Sequence, residues 1–148
     1  MRAALLLAVV AMANTCMTAK VAENAGADTV EINTIARGGH AAESERNAVL
    51  ATNESDYRRR WEELIGGGDV PNVDFDRGVA VFLFAGMRNT GGWSIQPNSA
   101  RIEADGTAVI DAKVQGPPPG GIVTQAITYP YAVVVVSSRD VKKVRWPE

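Results

Sequence analysis

Two short runs, Val79-Ala80-Val81-Phe82-Leu83-Phe84-Ala85 and Ala132-Val133-Val134-Val135-Val136, are apolar at every position. A strand with one wet face alternates apolar and polar residues, whereas an unbroken apolar run must be covered on both faces. The second run is almost all valine and short, which favours a strand over a helix. Any fold for this chain must therefore place a layer on each side of these strands.

One covering layer is legible as a helix over residues 53–65. Asn53 suits the N-cap, with Glu54 and Asp56 acidic near the positive helix start. Tyr57, Trp61, Leu64 and Ile65 recur at helical spacing and form one apolar stripe. On the other side Arg58 can meet Glu62 and Arg59 can meet Glu63, each pair worth a few tenths of a kcal/mol. Gly66-Gly67-Gly68 then stops the helix.

The remaining segments read as strands. Val30 to Ile35 alternates, ending at Gly38-Gly39-His40, and Asn47 to Leu50 forms a shorter one. Ser94 to Glu103 and Thr107 to Val114 form a hairpin about Asp105-Gly106. A strict two-residue loop would pair Ile102 with Val109. One extra residue, as a bulge or longer loop, puts Ile102 beside Ile110 and Arg101 opposite Asp111, the preferred register. The expected fold is α+β, mainly antiparallel β, a sandwich-like or barrel-like sheet with one amphipathic helix packed on it.

The chain has 148 residues, within the rough span of one domain. Arg2 followed by the apolar run Ala3 to Ala13 has the form of an export signal, too short to span a bilayer. Residues 1–19 are expected to be a signal peptide or leader, 20–28 a linker, and 29–148 a single β-rich domain. Cys16 is the lone cysteine, so no intramolecular disulfide forms. It is also a candidate lipidation residue, although Ala13-Asn14-Thr15 is a poor lipoprotein motif. Membrane attachment is expected only if Cys16 is lipidated. A periplasmic, secreted or cell-surface location follows from the leader. A net charge of −2 without a clustered basic face argues against nucleic acid as a partner.

The most specialised backbone lies in two segments, Arg88-Asn89-Thr90-Gly91-Gly92-Trp93 and Pro117-Pro118-Pro119-Gly120-Gly121 through Thr128-Tyr129-Pro130-Tyr131. Their glycines supply positive φ and close approach; their prolines lock φ and remove donors. Thr90-Gly91-Gly92-Trp93 reads as a hairpin turn with a core tryptophan, or as a turn presenting Trp93 or Arg88 to a partner. Pro117 to Pro119 reads as a polyproline-like spacer or ridge. Pro130 belongs at an edge, at a bulge or at the start of a strand, and the bond before it is open to either isomer.

Catalytic chemistry finds little support. His40 is the only histidine, in a Gly-rich turn, and no nucleophile motif partners it. Asn72-Val73-Asp74-Phe75-Asp76-Arg77-Gly78 places oxygen ligands at alternate positions, as calcium loops do. Its glycine comes one place late and position twelve is Leu83, so the pattern reads instead as the polar/apolar lead-in to a strand. No cofactor or metal is implied.

Val73-Asp74-Phe75, the following apolar strand, Gly86 and Thr90-Gly91-Gly92-Trp93 resemble the C-terminal domain of the PrcB family of protease-complex subunits. Pro119-Gly120, Val123, Gln125-Ala126, Thr128 and Pro130-Tyr131 stand in the order that family shows before its last valine-rich strand. The resemblance covers about residues 73–136. It departs in having Trp93 where tyrosine is commoner, and Gly121 after Gly120. The resemblance implies a non-enzymatic exported accessory protein, possessing no catalytic residues and partnered by a cell-surface or periplasmic protease or another envelope protein. The alternatives are a chagasin-like protease inhibitor, which shares a Thr-Gly-aromatic loop and a later Gly-rich loop, and a purely structural envelope protein. Arg145-Trp146-Pro147 does not reproduce the third, Arg-Pro-Trp-type element of that inhibitor family.

Overall fold

A computed structural model of the chain describes residues 28–148. The expected leader, Cys16 and nearly all of the expected linker lie outside the described residues. The element order is β1 (Asp28–Val30), β2 (Ile32–Gly38), β3 (Arg46–Ala51), α1 (Glu54–Leu64), β4 (Val79–Ala85), β5 (Ser94–Ile102), β6 (Thr107–Gln115), β7 (Tyr131–Val136) and β8 (Lys143–Arg145). Two four-stranded sheets form, ordered β1-β5-β6-β8 and β2-β7-β4-β3. All strand pairings are antiparallel except β6 with β8. The architecture is the expected α+β arrangement. Among the described residues no helix is long and apolar enough to cross a membrane.

The two apolar runs, β4 and β7, are the central strands of one sheet. Val79, Val81, Leu83 and Ala85 of β4 face the other sheet, together with Ala132, Val134 and Val136 of β7. Ala80, Phe82, Phe84 and Val133 face the helix side, where Tyr57 and Trp61 meet them. Period two in the strands thus divides one apolar run between two cores, which is why neither run carries a polar residue.

The helix forms as expected. Asn53 caps it, its side chain accepting from Asp56 N–H at 2.9 Å, and the three glycines after Ile65 all take positive φ. Its charge pairing differs in part. Arg59 meets Glu63 at 3.1 Å, but Arg58 turns back to Glu54 at 2.9 Å and leaves Glu62. Asp56 gathers both Arg60 and Arg59, and the Arg60 guanidinium foremost holds its carboxyl below the usual range. An acid in the first turn already sits in a favourable field.

Three strand expectations are corrected. The strand foreseen over Val30 to Ile35 breaks at Glu31, because β1 pairs in one sheet and β2 in the other. A bulge at Ile35 then turns that side chain to the helix side, while Val30 and Ile32 pack between the sheets. Second, the lead-in at Val73 to Phe75 is not a strand. Asp74 O accepts from Arg77 and Gly78 N–H in a turn, although Val73 and Phe75 do pack beneath the helix. Third, the β5–β6 register is neither of those considered, for Ile102 pairs with Ala108, Arg101 with Val109 and Ala100 with Ile110. The extra residue lies at Asn98, between Pro97 and Ser99, not at the loop. Ile95 and Ala100 both face the core from positions of opposite parity, which demands a bulge between them.

Tyr57 carries a testable consequence. It is 2% exposed, and its buried hydroxyl makes no hydrogen bond within the protein. Burial pushes its phenol up to about 12. The protonated form is thus favoured by folding, so its contribution is complete below about pH 10 and lost as pH rises toward 12. At 1.36 kcal/mol per unit the loss reaches about 2–3 kcal/mol. Tyr57→Phe should keep or raise neutral stability, by up to about 1 kcal/mol, since it removes an unpaired buried hydroxyl. It should also flatten the alkaline decline. Melting temperatures of both proteins between pH 9 and 12 check this; parallel decline would refute it.

Candidate functional site

Both special-backbone segments are arches that cross between the sheets. Residues 86–93 carry the chain from β4 to β5, and residues 116–130 return it from β6 to β7. The first is therefore not the hairpin turn anticipated, because β4 and β5 belong to different sheets. Since β4 neighbours β7 and β5 neighbours β6, the arches lie side by side at one end of the sandwich.

They are tied together directly. Arg88 N–H donates to Thr128 O at 2.8 Å and Thr128 N–H donates to Arg88 O at 2.9 Å, an isolated antiparallel bridge. The Thr128 hydroxyl donates to Thr90 O at 2.8 Å, and Gly91 N–H to Thr124 O at 2.9 Å. Gly92 has φ of +82°, and a Cβ there would lie 3.0 Å from Pro117 Cβ. Glycine is required there on both counts.

Trp93 and Arg88 brace this junction. The Trp93 indole N–H donates to Thr90 Oγ1 at 3.2 Å, and its ring lies close over Gly116. The Arg88 guanidinium sits 4.9 Å from the ring centroid and donates to Ala85 O at 3.0 Å, with Nε buried and unpaired within the protein. Trp93 is half-buried, not a core residue.

In the second arch, Pro119 and Gly120 occupy the central positions of a turn. Gly121 N–H donates to Pro118 O at 3.0 Å, and Gly120 has φ of +76°. Proline followed by a left-handed glycine is the type II signature. Pro130 is fully buried just ahead of β7, its preceding bond trans, and its carbonyl accepts from Ala85 N–H at 2.9 Å. Tyr129 is half-buried and exchanges hydrogen bonds with the turn after β2, donating to Gly39 O and accepting from Ala41 N–H. Tyr131 lies against Gly38, and burial raises its phenol. The turn after β2 thus joins the same end as a third loop, carrying exposed His40.

Several residues of this end escaped the sequence reading. Met87, Ile122 and Ile127 are the exposed large hydrophobics of the described residues, and all three lie on the two arches. A signal existed, for each is an aliphatic residue stranded in a Gly/Pro/Thr-rich connection without strand or helix period. Away from the arches, Trp146 is buried, donates to Ala112 O at 2.9 Å and lies 3.9 Å from the Arg46 guanidinium. Arg46 also donates to Pro147 O at 2.8 Å, closing the β3/β8 side of the sandwich.

The fold and this end define a two-sheet β module with an outer helix and paired inter-sheet arches. Residues 79–137 match the family model described as PrcB C-terminal. That stretch runs from β4 to the end of β7 and holds both arches, so the part of the chain similar to PrcB C-terminal domains is the part that carries the site. The match begins after Val73-Asp74-Phe75, so the shared segment is shorter at its start than the resemblance had suggested. No curated protein and no solved structure matches the chain.

Proposed function

We propose that this protein is a non-catalytic exported accessory protein that binds a cell-surface or periplasmic protease, or another envelope protein, and supports assembly or stability of the complex. The observation that carries this reading is the PrcB C-terminal match, whose span contains both arches. The arches support it because their hydrogen bonds and proline turn pre-shape a surface, which lowers the ordering cost of binding. Their side chains are amide, hydroxyl, aliphatic and aromatic groups with one inward-turned arginine, suited to recognition. The apolar leader run supports export.

Affinity purification of the full chain from its native envelope after mild crosslinking tests the reading. A protease or protease-associated protein should be enriched in fixed ratio. A strictly monomeric protein with no enriched partner would overturn it. The three loops at one end also permit the inhibitor alternative, which predicts slowing of a papain-like protease at micromolar concentration; unaltered rates dispose of it.

A further inference from the structure

The end bearing the arches differs from the opposite end in its chemistry. Residues 89–100 contain no charged side chain, and neither do residues 116–138. Arg88, the charge between the first of these and β4, is drawn inward by Trp93 and Ala85 O. On this uncharged ground stand Ile122, at 105% relative exposure, Ile127 at 55% and Met87 at 51%. The opposite end holds the β5–β6 turn with Glu103 and Asp105, joined through Gly106 O to Lys142 and Lys143 N–H. Asp28, the first described residue, pairs with Ile102 beside that turn.

Resting on the accessory-protein reading, we infer that the uncharged tip is the docking surface. Its occupant is a partner protein with an uncharged, apolar pocket that receives Ile122, flanked by contacts to Ile127 and Met87. Exposed apolar side chains on two arches that are hydrogen-bonded to each other mark an interaction site. A protein fits better than a lipid surface. Met87 N–H donates to Ser44 O at 3.0 Å, which places the loop bearing Glu43 and Glu45 beside the patch. Carboxylates there are costly against acyl chains but suit the polar rim of a protein interface.

The test replaces Ile122 and Ile127 together by aspartate in the full chain, and in parallel places a photo-crosslinking residue at Ile122 or, as control, at Lys142. Both aspartates fall on exposed positions, so the melting temperature should hold within about 2 °C. The partner enriched by the native chain should be lost from the variant at least tenfold and should crosslink from position 122, not from 142. A partner retained by the variant, or crosslinked only from 142, overturns this inference and leaves the accessory reading standing. Absence of any partner with the native chain sinks both. Flotation with neutral phosphatidylcholine vesicles, abolished by the two aspartates, would assign the tip to lipid and overturn the protein-docking inference.

Discussion

Phe82→Ala is expected to lower the unfolding free energy by about 3–5 kcal/mol, the range for removing a buried aromatic ring. Phe82 is fully buried at the centre of the helix-side core. Its ring centroid lies 5.6 Å from Tyr57, 6.4 Å from Trp61 and 6.4 Å from Phe84. Two of these rings stand on α1 and the third on β4 itself, so closing the cavity would require the helix to shift against the sheet. Urea or thermal unfolding should show the melting temperature falling by roughly 10–20 °C. A loss below about 1 kcal/mol would mean that the helix is not seated on β4 as described.

The second large effect is expected at Gly78. A Cβ there would press into Val136 O, with Val135 Cγ1 and Val136 C each at 3.3 Å. Val136 ends β7 and is paired on both sides, with Val79 and with Ile32. The obstruction is backbone in the middle of a sheet, so neither party can move without breaking ladder hydrogen bonds. Gly78→Ala should cost about 3 kcal/mol or more, the upper end for overpacking. Amide exchange should quicken at the paired ends of β4 and β7. Gly39→Ala is the control, since nothing lies within 4 Å of its Cβ position; its effect should stay within about 0.5 kcal/mol. Equal effects at the two glycines would refute the close approach.

The same glycine shows how far a linear reading reaches. In the sequence Gly78 closes a string of alternating acids and looks like the late glycine of a calcium loop. In the structure it is where one strand begins against the backbone of another some sixty residues on. Among the described residues no cluster of three potential metal ligands forms. Sequence spacing recorded the turn and the inward Val73 and Phe75, but the contact that needs glycine is long-range.

The paired arches divide in the same way. Their glycines and prolines announce special backbone, and the Pro119-Gly120 turn follows from φ preferences that act within four residues. That Thr128 reaches Thr90 depends on which strands become neighbours. The β5–β6 register is a further case. Parity requires one extra residue somewhere in the hairpin, yet only the two cores decide that it stands at Asn98.

By itself the sequence determined the helix and its cap, the doubly covered strands and the α+β class. These rest on periodicity, φ restriction and local hydrogen bonding, which act over a few residues. Tertiary structure alone decided that the two arches lie side by side. It also placed Met87, Ile122 and Ile127 on those arches, at the end of the sandwich opposite Asp28. The pairing of the arches is a property of strand order, and strand order is set by burying two apolar strands between a facing sheet and a helix.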